Sequence, residues 1–414
     1  MIKNYFKIAI AVLRRRKFFT FISLFGISLT LTIVIILAAF SDHLVSSGYP
    51  DTNRDKELFV NMVRQQSSKG GFNRSGPASV FFLEHYVSKL TTLSRLGISS
   101  IFIPTNTYIN NKKLVINLKY TNDQFWNVLQ FSFTEGKPYN KQQIDNGEKV
   151  TVITEDTRND YFGEGAKAVG KYIETDNVQY RVIGVVKSVP VTRVFVYADI
   201  FVPYTLAKNN DIHNESLNGN YTAILMVNSV SDIPKLKEEY NQMAAKIKTN
   251  DKDFDLLFTF ADTYLESYLR LMPFSKSGNS GLAIFITILG TFFFLFLLLP
   301  TLNLVNINIS RIMERSSEIG VRKAFGASSN TLVLQFVVEN MILTMLGCLI
   351  GITLSFIIIQ VVNYTGLIAN LHLAINFTVL SFSLVACIIF GLLSGVYPAW
   401  RMSRMQVVNA LKAG

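Results

Sequence analysis

The sequence predicts a membrane protein: four transmembrane α-helices plus a large α+β extracytoplasmic domain between helices 1 and 2. Three observations lead there. Four long stretches carry almost no charge, the excess of basic residues sits beside them in three short segments, and about 240 residues between the first two stretches alternate strand-like and helix-like patterns.

The apolar stretches come first. Residues 18–40 contain no charge, nor do 282–309 or 377–397, and 331–362 contain only Glu339. Each reaches the roughly 20 residues that span a hydrocarbon core. Backbone amides in lipid have no water to bond, so each stretch must be helical. The predicted spans are 18–40, 281–309, 331–362 and 377–397. The first resembles a signal peptide at its Arg-rich start, but its apolar run is longer than a signal core and Phe40 suits cleavage poorly, so an uncleaved helix is expected.

Charge then orients the chain. Residues 1–17 hold Lys3, Lys7, Arg14, Arg15, Arg16 and Lys17 with no acid. Residues 310–330 hold Arg311, Arg315, Arg322 and Lys323 against Glu314 and Glu318, and 398–414 hold Arg401, Arg404 and Lys412. Those thirteen basic and two acidic residues account for the whole net charge of +11; the remaining 27 basic and 27 acidic residues cancel. The loop 363–376 has no Lys or Arg. The positive-inside rule therefore places 1–17, 310–330 and 398–414 in the cytoplasm, and 41–280 and 363–376 outside. The large loop lacks the basic clusters that nucleic acid would require, so no nucleic-acid partner is expected.

Residues 41–280 read as a mixed domain. Lys112–Thr121 and Val150–Thr154 are strand-like, and Val178–Val186 alternates before running into a continuous apolar segment. Asp176-Asn177 makes a turn after a strand at Lys171–Thr175. Ile233, Leu236, Tyr240, Met243 and Ile247 form the apolar stripe of an amphipathic helix. Gln65–Gly76 and Lys208–Asn220 read as loops. Leu256–Leu271 reads as a helix, a stalk leading to the second span.

Chemistry is sparse. His43, His85, His213 and His372 are isolated, and neither HExxH nor CxxC spacing occurs. There is no Gly-x-Ser-x-Gly elbow and no Walker A sequence. No catalytic residue, metal site or cofactor is expected on this chain. Cys348 and Cys387 both lie in predicted membrane helices and read as packing residues.

Within the spans, Glu339 is a charge at membrane depth, with Gln335 and Asn340 close by. The favoured reading is a carboxylate hydrogen-bonded between helices, although such residues are functional candidates. Gly347-x-x-x-Gly351 and Gly391-x-x-x-Gly395 allow close backbone approach and suggest a compact bundle of the third and fourth spans.

The most informative segment is Arg311–Ala327. It holds no proline, Glu318 precedes Arg322 by four residues in the favourable ion-pair order, Gly326 is placed to end a helix, and Ser328 or Ser329 to cap the next. Ile319, Val321, Ala324 and Phe325 add apolar contacts that a solvated turn has little use for. It reads as a handle that another molecule grips.

The run Glu314-Arg315-Ser316-Ser317-Glu318-Ile319-Gly320-Val321-Arg322-Lys323-Ala324-Phe325-Gly326-Ala327, followed by Gln335–Glu339, resembles the signature of MacB-type (FtsX-like) ABC transporter permeases. Asn4–Ala9 with Arg14–Lys17 is similar to that family's amphipathic entry helix, which gives 1–17 its expected form. Pro398–Arg401 and Val408–Lys412 resemble its C-terminal end. Tyr161-Phe162-Gly163, Ala168–Lys171 and Tyr180–Val186 resemble its periplasmic core.

The resemblance implies a bacterial inner-membrane location with a periplasmic outer domain, a dimer with an identical or homologous second permease protomer, and two copies of an ABC ATPase. No ATPase sequence is present here, so the ATPase, with its ATP and Mg, is expected on a separate chain. Glu314–Gly326 would be the coupling helix that docks on it. The family works by mechanotransmission, in which ATP-driven closure inside moves the outer domain to export or extract a peptide, lipoprotein or drug, in some members with a periplasmic adaptor or substrate protein. A regulator of a cell-wall hydrolase is the alternative, although the outer domain is larger than that branch leads one to expect. A membrane-anchored enzyme or receptor without an ATPase is the third reading.

Overall fold

The computed structural model describes residues 15, 17–70, 73–109, 112–208, 215–249, 253–272, 278–313, 321, 324–326 and 328–403. The expected entry helix at 1–17 therefore lies almost wholly outside the described residues, as does the tail beyond Ser403. The first apolar stretch forms helix α1 (Lys17–Val45), five residues longer at its C-terminal end than the uncharged run. Two units are formed, one of Leu44–Phe285 with Ile368–Leu371, the other of Met1–His43, Ile286–Leu367 and His372–Gly414.

The first of these is the expected α+β domain. Its elements are β1 (Glu57–Val60), β2 (Val63–Gln66), β3 (Asn73–Gly76), α2 (Val80–His85), β4 (Arg95–Ser100), β5 (Ile103–Ile109), β6 (Lys112–Thr121), α3 (Phe125–Val128) and β7 (Phe133–Gly136). There follow α4 (Lys141–Asp145), β8 (Val150–Thr154), α5 (Glu155–Phe162), β9 (Tyr172–Thr175), β10 (Val178–Val186), β11 (Ile200–Pro203), β12 (Tyr221–Met226), α6 (Ile233–Lys246), β13 (Leu256–Thr259) and α7 (Tyr264–Arg270).

Ten strands make one mixed sheet in the order β1-β12-β4-β6-β11-β8-β10-β7, with β5 added beside β6 and β9 beside β10. The β8/β10 and β11/β6 pairs are parallel, and the interior strand β8 is buried at every position, as a strand covered on both faces must be. Alternation divides the strands between two apolar cores. Leu58, Val60, Ile98, Leu118 and Val182 pack with Leu236 and Tyr240 of α6 on one side. Phe59, Val152 and Phe201 pack with Phe125, Trp126 and Tyr264 on the other. Lys119 is sealed inside: it donates from Nζ to the carbonyls of Ser100 at 2.8 Å and Phe195 at 3.2 Å, and burial brings its pKa down to about 7.

Two expectations need correction. Gln65–Gly76 is no simple loop, because β2 and β3 pair across it from Val63↔Gly76 to Gln66↔Asn73. Leu256–Leu271 is not one helix. Leu256–Thr259 pairs with β2 from Leu256↔Gln66 to Thr259↔Val63, and helix begins only at Tyr264, where Glu266 accepts the Thr263 N–H. In both cases a neighbouring strand edge supplies hydrogen bonds that the local sequence does not announce. The turn at Asp176-Asn177 is as expected, with φ of 54° and 59°, and α6 has the expected stripe from Ile233 to Met243, with Ile247 just past its end but packed on the same core. Of the predicted loop Lys208–Asn220, residues 209–214 lie outside the described residues.

Gly136 ends β7 at φ 66° opposite Gly184. A Cβ there would collide with the Ile183 carbonyl, which is fixed in the ladder. Gly136→Ala is expected to cost about 2–4 kcal/mol, combining left-handed backbone strain with overpacking. Gly147→Ala, also at positive φ but with no atom near its Cβ, should cost about 1 kcal/mol. Urea unfolding followed by Trp126 fluorescence compares them, and equal midpoints would refute the clash.

The other unit contains most of α1 with α8 (Leu282–Met313), α9 (Ser329–Thr365) and α10 (Phe377–Ser403). Its core joins Ile27, Leu31 and Ile35 of α1 to Leu343 and Cys348 of α9, flanked by Leu380 and Leu384 of α10. Lys17–Val45 and Val333–Thr365 are long and apolar enough to cross a membrane; Leu282–Phe296 and Leu380–Val396 are shorter apolar stretches among the described residues.

Candidate functional site

Three places hold the polar and conformationally special residues. The first is the handle between α8 and α9. Glu314, Arg315, Glu318, Ile319, Gly320, Arg322 and Lys323 lie outside the described residues. The described remainder is one turn of helix: the Phe325 N–H donates to the Val321 carbonyl at 3.1 Å, and Gly326 stops it at φ 88°, a conformation glycine adopts without a Cβ penalty. Ser328 caps α9 by accepting the Thr331 N–H, so of the two serines considered it is Ser328 that serves. Val321 is 46% exposed and Phe325 88%, and Ala324 beside them is exposed too. Spacing of four puts Val321 and Phe325 on one face.

The second place is the helical unit. A Cβ on Gly347 would lie 2.7 Å from Ile27, and one on Gly351 2.9 Å from the Ser28 carbonyl. Gly391 faces Thr344, and Gly395 faces Asn340. The α9 glycines thus admit α1, whereas the α10 glycines admit α9. Sequence alone suggests that both pairs serve the bundle of the third and fourth spans; the α10 pair meets α9, whereas the α9 pair meets α1. At that crossing Thr32 Oγ1 donates to the Gly351 carbonyl at 3.1 Å. Asn340 Nδ2 donates to the Gly391 carbonyl at 2.5 Å and to Ser394 Oγ at 3.0 Å. Gln335 and Glu339 are buried in the same unit. Asn340, next to Glu339, makes these cross-helix bonds. Gly351→Leu is expected to force α1 off α9 at about 1–3 kcal/mol. Gly290→Leu, with open space at its Cβ, should be neutral. Thermal melting of the full chain in detergent separates them, and equal losses would contradict the assigned crossing.

The third place, in the α+β unit, went unnoticed in the sequence. Arg54 donates from Nη1 to the carbonyls of Leu44 (3.3 Å), Val45 (2.7 Å) and Ser46 (2.8 Å), and from Nε to Asp51 Oδ2 at 2.6 Å. It thereby satisfies carbonyls that the end of α1 leaves open. Its guanidinium lies 3.6 Å from the Tyr264 ring centroid. Arg270 pairs with Asp262 nearby in sequence, and Phe59 and Asp262 exchange backbone hydrogen bonds. The segment Ile368–Leu371 joins this unit, Asn370 Nδ2 donating to Asp156 Oδ2 at 2.7 Å. An arginine within ten residues of a helix end was the available signal, but the charges of 51–57 look like ordinary surface residues.

A mixed α+β domain set between apolar helices is the architecture of a membrane protein with one large domain outside the helical unit. Family models agree: residues 20–243 match the MacB-like periplasmic core domain, and residues 290–407 match the FtsX-like permease C-terminal domain. The chain belongs to the MacB-type, FtsX-like ABC transporter permeases.

Among relatives, the macrolide export ATP-binding/permease protein MacB of Salmonella paratyphi A is 24% identical over 306 residues, 73% of this chain and 44% of that protein. The uncharacterized ABC transporter permease YknZ of Bacillus subtilis is 24% identical over 295 residues, 70% of this chain and 68% of its own. The chain thus spans less than half the length of the MacB relative. The crystallised periplasmic region of MacB from Actinobacillus actinomycetemcomitans is similar at 18% identity and a TM-score of 0.36, covering 51% of this chain and 93% of that one.

Proposed function

We propose that this chain is the transmembrane permease subunit of a MacB-type transporter, in which an ABC ATPase drives movement of the outer domain for export or extraction of a periplasmic or membrane substrate such as a peptide, lipoprotein or drug. The observation that carries the reading is the union in one chain of a MacB-like periplasmic core and an FtsX-like C-terminal region. Four membrane spans at the predicted boundaries, cytoplasmic termini and a periplasmic outer domain follow from the charge distribution. Glu314–Gly326 forms the coupling helix, and the exposure of Val321 and Phe325 favours docking there.

In this scheme ATP and Mg bind to the ATPase, and two copies of it serve a dimer made with a second permease protomer. Gly347, Gly351, Gly391 and Gly395 hold the helices close enough to move as a body. Gln335 and Glu339 are structural polar residues within it. A periplasmic adaptor or substrate protein engages the outer domain.

The test is co-purification. The tagged full chain, extracted from its native membrane, should carry an ABC ATPase and stimulate its ATP hydrolysis. Recovery with no ATPase activity in the complex would overturn the proposal.

A further inference from the structure

Beyond its capping role, Arg54 belongs to a buried charged cluster whose proton count is unusual. Asp51 is 0% exposed, Glu57 2% and Arg54 8%. Arg193 is buried beside them and so close to Gly48 that a Cβ there would lie 2.5 Å from its Nη2. Asp51 Oδ2 is bound to Arg54, but Asp51 Oδ1 and both Glu57 oxygens have no donor among the described residues, and neither Arg54 Nη2 nor Arg193 Nη1 has an acceptor there. Three buried acceptors without a donor are costly, and a second anion beside Asp51 more so.

One proton removes the second anion and pairs two of these three oxygens with each other. A neutral Glu57 becomes an O–H donor, and its carboxyl is near enough to Asp51 to hydrogen-bond it. We propose that Asp51, Arg54 and Glu57 form a proton-binding clasp on the end of α1, in which a proton shared by the two carboxyls leaves one negative charge to hold Arg54 against the Leu44, Val45 and Ser46 carbonyls. Loss of the proton puts a second carboxylate in competition for the same guanidinium and draws it from the helix end.

The groups around Glu57 act in opposed directions. Burial, then the charge and hydrogen bond of Asp51, push its pKa up to about 10, with Asp55 adding and Arg54 opposing. Arg193 and Tyr264 complete the cluster: Arg193 is held below its ordinary range by burial and by Arg54, and Tyr264 is raised by burial against the pull of both arginines.

The folded pKa of Glu57 lies above its ordinary value of 4.5. Its stabilising effect is therefore complete below that value and is lost as pH rises toward 10, by about tenfold in the folding equilibrium per pH unit. Lys119, lowered to about 7, acts with opposite sign above pH 7, so the wild-type slope from Glu57 is clearest between about pH 5 and 7.

The experiment uses the full chain in detergent with Trp400→Phe, so that Trp126 reports on the outer unit. Wild type should lose about tenfold in folding equilibrium per unit between pH 5 and 7, and Glu57→Gln should lose that dependence. Infrared spectroscopy supplies a readout that needs no unfolding. The protonated-carboxyl stretch assigned by the wild-type minus Glu57→Gln difference should persist at pH 8 and fall to about half near pH 10. Arg54→Lys, which cannot span three carbonyls and Asp51, should keep the band while amide exchange at 44–57 rises. If Glu57→Gln fails to fold, titration of the wild-type band decides alone. Absence of a protonated carboxyl outside the spans at pH 7, or an unchanged pH slope in Glu57→Gln, overturns the proposal.

Discussion

A chain carrying Val321→Asp and Phe325→Asp is expected to insert normally and to lose most ATP-driven activity. The two side chains lie one turn apart at the end of the handle, 46% and 88% exposed, so neither contributes much to folding. Their apolar surface has value only when covered. If the pair is a hot spot of the interface, it contributes about 2 kcal/mol, roughly a 30-fold change in affinity, and a carboxylate adds a desolvation cost. The two changes together should uncouple the permease from its ATPase. ATPase stimulation and transport in proteoliposomes provide the measurement, with Val169→Asp on an exposed site of the outer unit as control. Full coupling in the double variant would remove the docking role from this segment.

Arg54→Met should have the largest effect on stability, about 3–5 kcal/mol, the range found when one member of a buried ion pair is removed. Methionine retains the stem but leaves Asp51 buried without its cation and three carbonyls at the end of α1 without their donor. Part of Arg54's contribution is its stacking on Tyr264, which methionine replaces incompletely. The double variant Arg54→Met with Asp51→Asn should recover a measurable fraction, because it removes the stranded charge while leaving the carbonyls open. Urea unfolding of the full chain gives the comparison; a single variant within 1 kcal/mol of wild type would mean that Asp51 is already compensated elsewhere.

How far the sequence carried depended on whether a feature was local. The Asp176-Asn177 turn was legible because two short polar residues between strand patterns accept positive φ by their own chemistry. The stripe of α6 was legible because Leu236 and Tyr240 recur at helical spacing. Leu256–Leu271 misled because its first four residues respond to the edge of β2, more than 180 residues away, and Gln65–Gly76 hid its strands because polar side chains carry no alternation. In the candidate site, Gly326 could be read from helix-ending rules, and capping rules narrowed the next start to Ser328 or Ser329. The choice of partner helix for Gly347 and Gly351 could not, since a small residue permits a contact without naming it.

Composition and order alone determined the membrane class, the α+β insertion and the family, because hydropathy, charge excess and short motifs are properties of neighbouring residues. Tertiary structure decided which strands complete the sheet, that Asn340 binds the Gly391 carbonyl and Ser394 across helices, and that Asp51, Arg54 and Glu57 meet in one buried cluster. Those outcomes depend on desolvation and on the distance between residues far apart in the chain, neither of which exists until the chain has folded.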